Sequence, residues 1–180
     1  MTSAAILAPA AAIALAAAIA GAARAEVVEA DAGGFTVREK VDIAASPQVV
    51  WAALGHPGDW WSSEHTYSQD AHNLSVRLET GGCWCEALPG GGAVRHMVVV
   101  NVQPERTLRL VGALGPLQAL GVAGAMTFTL KGEGGHTALT WTYDVGGHAV
   151  GGLDKLAGPV DGVLNEQAHR LEAYAEAPPR

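Results

Sequence analysis

Cysteine, phenylalanine and positive charge are all scarce in this chain of 180 residues. It contains two cysteines and two phenylalanines, and 11 basic against 18 acidic residues leave a net charge of −7. No basic run interleaved with aromatics occurs, and phosphate neutralisation is the main source of affinity for nucleic acids, so no nucleic-acid partner is expected. Cys83 and Cys85 have no further ligands nearby at zinc spacing, so no metal is expected. On a regular strand their Cα atoms would lie about 6.5–7 Å apart, at or beyond the upper limit for a disulfide. Two small packing residues is the simplest reading, with a redox or metal role as the alternative. There is no Gly-x-Ser-x-Gly elbow and no phosphate loop, and nothing calls for a cofactor. Internal repeats and long polar low-complexity stretches are also missing.

The first charged side chain is Arg24, and before it runs an alanine-rich stretch with Ile6, Leu7, Ile13, Leu15 and Ile19. Ala23-Arg24-Ala25 puts small residues at the two positions a signal peptidase reads. Residues 1–25 are therefore expected to be a signal peptide, and 26–180 a single domain, periplasmic or secreted. The alternative is an uncleaved anchor, because the uncharged run is long enough to span a bilayer; only then is a membrane partner expected.

Phe35–Ile43 alternates apolar and polar side chains, the period of a half-buried strand. Further strands are expected over Asn73–Thr80, Cys83–Leu88, Ala93–Val102, Thr107–Gly112, Ala125–Lys131 and Thr137–Val145, separated by glycine-rich turns. The segment Ala113–Ala123 is apolar but broken by glycine and proline, and is expected to be a mobile rim. At the end of the chain Leu153, Leu156, Val160, Val163, Leu164, Gln167, Leu171 and Tyr174 recur at three- and four-residue steps. They predict an amphipathic helix from near Asp154 to just before Pro178-Pro179, weakened in its first half by Gly158, Pro159 and Gly162.

The most distinctive stretch is Val41–Trp61. A strand ends at Ile43, Ser46 and Pro47 start a short helix carrying Val50, Trp51 and Leu54, Gly55 and Pro57 stop it, and Trp60-Trp61 follow in a second short turn. This order, followed by a run of strands and a long helix, resembles the START-like, or SRPBCC, superfamily of helix-grip domains over roughly Gly33 to Ala177. Within it the Pro-Gln-Val-Val-Trp-Ala-Ala-Leu helix, the Trp60-Trp61 pair and the Gly81-Gly82 turn are most similar to the heat-shock-ATPase-activator or polyketide-cyclase-like branch. The resemblance implies an α+β helix-grip fold: a curved antiparallel sheet of about seven strands wrapped on the C-terminal helix, with two short helices after the first strand. It also implies a cavity for an apolar or amphipathic small molecule.

Three polar residues interrupt strand faces that otherwise read as buried: Glu39, Glu86 and His96. Glu39 is expected at a strand edge or beside a cation. If Leu88 opposes Val94 in a hairpin, Glu86 opposes His96 and their side chains can hydrogen-bond. The pair would then serve as an acid–base couple, anchor a ligand's polar group, or simply satisfy itself. Trp84, Val98, Met126, Phe128, Trp141 and Tyr143 on the same faces, with Leu156 and Val160 of the last helix, are the expected ligand-lining residues. Three functions are open: an exported small-molecule-binding domain, a cyclase- or hydrolase-like enzyme using Glu86 and His96, and a protein-interaction domain with no cavity.

Overall fold

The computed structural model describes residues 24–178; the expected signal peptide lies almost wholly outside them. Eight strands form one antiparallel sheet: β1 (Arg24–Asp31), β2 (Gly34–Ile43), β3 (Leu74–Val76), β4 (Cys83–Ala87), β5 (Ala93–Gln103), β6 (Thr107–Gly112), β7 (Gly121–Glu133) and β8 (His136–His148). Their spatial order is β1-β2-β8-β7-β6-β5-β4-β3. Two α-helices, α1 (Pro47–Leu54) and α2 (Asp154–Glu176), and several single-turn helices complete the fold. This is the α+β helix-grip arrangement, a curved open sheet closed on one face by α2.

The sheet has one strand more than the seven expected. β1 pairs with β2, but its register shifts between Val27 and Glu29, so the strict alternation that marks a strand is broken by the Val27-Val28 doublet. The strand expected over Asn73–Thr80 is only three residues long, because the chain beyond Val76 folds back on itself. Gly82 lies so close to the Arg77 carbonyl that a Cβ there would overlap it, and its own carbonyl accepts from the Val99 amide at 2.8 Å. The region expected to be irregular shortens to a single helical turn over Gly115–Ala119, after which β7 begins at Gly121.

Helix α1 starts as its sequence requires: the Ser46 hydroxyl accepts from the Val49 amide at 3.4 Å, and Pro47 occupies the first turn. Val50, Ala53 and Leu54 are its buried face. The Trp60 indole donates to the Ala53 carbonyl and the Trp61 indole to the His65 carbonyl, which folds the tryptophan pair inward. There it meets Trp141 and Trp84 at ring separations of 5.3–6.3 Å in edge-on and tilted contacts, and Phe128 packs on Trp141 at 4.6 Å.

Helix α2 is held over the sheet by apolar contact through Ala157, Leu164, Ala168 and Leu171 and by polar ties. Buried Gln167 accepts from the Ser62 amide at 2.8 Å, Arg170 donates to the Trp60 carbonyl at 2.7 Å, and Glu176 accepts from the Ala44 amide at 2.7 Å.

Glu39 is neither at an edge nor beside a strong cation. It sits on β2, between β1 and β8, fully buried beneath α2, with one carboxyl oxygen accepting from Asn165 at 3.2 Å and the other unpartnered among the described residues. Burial pushes its pKa from 4.5 up to about 7; Asn165 and His169 oppose the shift and Asp161 adds to it. The folded state therefore holds a proton that the unfolded chain has released between pH 4.5 and about 7. This contribution to stability is fully present below the lower value and is lost as pH rises through the upper one, at most about 3 kcal/mol. Glu39→Gln should remove the loss. Urea unfolding should show the variant more stable than the parent at pH 8 by about 1–3 kcal/mol, with the difference shrinking toward pH 5. An unchanged difference between the two pH values would contradict the assignment.

Candidate functional site

Strands β4 and β5 do not pair in the simple register. Trp84 lies opposite Met97 and Cys85 opposite Arg95, leaving His96 as an extra residue in β5. Glu86 opposes Val94, not His96, and the expected Leu88–Val94 pairing does not form. The bulge nevertheless turns the imidazole toward the carboxylate: His96 Nε2 is 3.0 Å from Glu86 Oε2, and both side chains are buried. Downstream of the bulge the alternation is reversed. Met97 and Val99 face the core, and Val98, expected in the pocket, lies on the other register. Gly112, the last residue of β6, pairs with Met97 beside this irregularity; a Cβ there would come within 2.5 Å of the His96 carbonyl oxygen.

Glu86 is saturated with donors. Its other oxygen accepts from the Ser68 amide at 2.5 Å, and the Tyr67 amide also bonds to it. Burial raises the carboxyl pKa, but the bonds from Ser68, Tyr67 and His96 outweigh it, and the group lies below the usual carboxylate range. For His96 burial is the largest influence and lowers the pKa, against the raising effect of Glu86. Near neutral pH the pair is thus a carboxylate accepting from a neutral imidazole protonated on Nε2. Nδ1 is left as an acceptor, approached at 3.4 Å by the side-chain amide of Gln118. The Tyr67 ring stacks on the imidazole, 20° from parallel.

His96 borders a cavity of about 360 Å³ between the sheet and α2. Trp84 and Tyr143 share the sheet side with it, and Leu156, Pro159, Val160, Val163 and Leu164 come from α2. The loop carrying Glu64, His65, Thr66 and Tyr67 and the rim Leu114–Leu117 line it as well, and Trp61 and Leu74 complete the lining. Two bonds hold the rim in place: Tyr67 donates from its hydroxyl to the Gly115 carbonyl at 2.8 Å, and the Leu114 amide donates to the Tyr143 hydroxyl at 3.1 Å. The Tyr143 ring reaches that position only because Gly124 has no Cβ, which would come within 2.5 Å of it.

Of the expected lining residues, Trp84, Tyr143, Leu156 and Val160 face the cavity. Met126, Phe128 and Trp141 do not: the Trp60-Trp61 pair packs against that part of the sheet and confines the cavity to the other end. The rim residues Leu114 and Leu117 and the loop residues His65 and Tyr67 are lining residues that strand periodicity could not assign, because they belong to no strand. His65 is exposed and lies 3.1 Å from Glu166 of α2. Cys83 and Cys85 form a disulfide, contrary to the packing reading. The register of β4 against β5 shifts within this segment, and the Cα atoms are only 5.4 Å apart, well inside bonding range. Among the described residues no cluster of side chains could hold a metal ion, and no helix is long and apolar enough to cross a membrane.

A family model described as "Polyketide cyclase / dehydrase and lipid transport" matches residues 34–176. No curated protein sequence matches the chain. Among solved structures, an uncharacterized Rhizobium leguminosarum protein superposes with a TM-score of 0.58 at 16% identity, over 86% of this chain and 97% of that one. EF2215 of Enterococcus faecalis, a protein of unknown function, gives 0.56 at 19% identity, over 88% and 79%. The solution structure of CalU16 from Micromonospora echinospora gives 0.55 at 14%, over 87% and 76%. At these identities the likeness shows the fold.

The electrostatics of the pair can be tested directly. The His96 imidazole, followed by NMR, should titrate below the usual histidine range. Glu86→Gln should lower its pKa further, since the carboxylate is what favours the charged ring. A rise on substitution, or no movement, would contradict a coupled pair.

Proposed function

The chain belongs to the polyketide cyclase/dehydrase and lipid transport family, and on that footing we propose that it is an exported binding domain for an apolar or amphipathic small molecule. The observation that carries this reading is the cavity of about 360 Å³, lined mainly by apolar side chains, with one buried hydrogen-bonding pair in its wall. That size and composition are those of small-molecule sites. An interaction domain with a filled core has no use for such a space. Export is supported by the uncharged segment ahead of Arg24 and by the Cys83–Cys85 disulfide, a bond that persists in oxidising compartments.

A second reading, an enzyme, is favoured by one specific arrangement. A buried carboxylate holds a neutral imidazole in a single tautomer beside the cavity, as a general base requires.

Native mass spectrometry of protein purified from its own host should show a co-purifying small molecule. Its absence, together with failure to bind any apolar compound, would remove the binding reading. For a pure binder His96→Ala should weaken affinity only modestly, whereas for an acid–base catalyst it should cost about 10²–10⁴ in turnover of the recovered compound. The exported protein should begin at Glu26 by N-terminal sequencing and resist thiol alkylation until reduced. A persistent Met1 or Thr2 terminus in a membrane fraction would replace export with anchoring.

A further inference from the structure

Which ligand the cavity selects can be read from the hydrogen-bonding capacity its wall leaves unused. Most polar groups at the cavity are already committed. The Tyr143 hydroxyl accepts from Leu114 and lies 3.4 Å from the Gly112 carbonyl, Tyr67 donates to Gly115, Thr66 donates to Ser63, and the Trp61 indole donates to His65. One atom stands apart. The Nε2 of His96 is taken by Glu86, so Nδ1 is the one atom this ring can offer a ligand, and there it is an acceptor held only at 3.4 Å by the exposed Gln118.

Charge narrows the choice further. No lysine or arginine lines the cavity, its two histidines, His65 and His96, are each paired with a carboxylate, Glu166 and Glu86, and Glu64 adds a further acidic group. An anionic ligand would be desolvated with no cation to meet it.

From these features, and resting on the binding reading above, we propose that the ligand is a neutral apolar compound bearing a hydroxyl. Its O–H donates to His96 Nδ1. Compounds whose polar group is only an acceptor, such as ethers and ketones, lose the bond to His96. Carboxylates and phosphates are disfavoured by charge. The role of Glu86 is to position His96 by fixing its tautomer.

Three probes with one apolar body separate these classes: 2-naphthol, 2-methoxynaphthalene and 2-naphthoate, titrated calorimetrically into the full mature protein at pH 7. The naphthol should bind about 3- to 10-fold more tightly than the methyl ether, the span of one hydrogen bond, and the carboxylate should bind most weakly. His96→Phe should erase the preference for naphthol over its ether while leaving affinity for the ether nearly unchanged. Equal binding of naphthol and ether by the parent protein, or tightest binding of the carboxylate, would overturn the hydroxyl inference and leave the cavity reading standing. Failure of all three to bind would overturn both.

Discussion

Everything at the candidate site depends on one extra residue in β5. A regular hairpin between β4 and β5 would alternate without interruption, and Met97 and Val99 could not both join the core on the same strand as an inward His96. By inserting His96 out of register, the strand buries the imidazole next to Glu86 and still supplies apolar side chains to the core further on. The bulge needs space on its far side, which Gly112 provides, and a polar environment for the carboxylate, which the Ser68 and Tyr67 amides provide. The loop that contributes those amides also carries Tyr67, which stacks on the ring and ties down the rim. Bulge, loop and rim are thus one connected unit, and it lines one side of the cavity.

The opposite end of the sheet is organised by a different demand. Trp60, Phe128, Trp141 and α1 fill the space beneath α2 there, and Trp61 and Trp84 form the boundary between this packed region and the cavity. The division of the interior into a packed half and an open half follows from where Trp60 and Trp61 enter. Their entry is fixed in turn by indole bonds to the backbone of α1 and of the loop after it.

Much of this was legible in the chain. Ser46-Pro47 marks the start of α1 through local chemistry that no tertiary contact alters. The long alternation of Phe35–Ile43 and Thr137–Val145 marks β2 and β8, and the apolar repeat marks α2. Glu86 and His96 stood out because a carboxylate and an imidazole break apolar faces whatever the register. Features that depend on register or bending were not legible. The Gly-rich loop after β4 does not fix the pairing, so the bulge, the outward turn of Val98 and the short Cys83–Cys85 separation could not be read from spacing. Strand β1 was hidden by its own irregularity at Val27-Val28. Glu39 looked like an edge residue because a lone buried carboxylate is costly. The fold tolerates it by leaving it protonated over part of the pH range.

Pro159 gives helix α2 an uneven backbone. Lacking an N–H, it leaves the Lys155 carbonyl without its partner one turn back, and it is flanked by Gly158 and Gly162, neither of which contributes a side chain to packing. The residues around it, Leu156 to Val163, are the ones that roof the cavity, while the polar ties to Ser62, Trp60 and Ala44 all lie further along. The first turns are held instead by the buried side chains of Leu153 and Ala157 and by the Leu153 amide, which donates to the Ala32 carbonyl at 3.1 Å. The stretch that covers the cavity is thus fixed to the sheet by apolar burial, with a backbone bond missing inside the helix, and the later turns by polar ties.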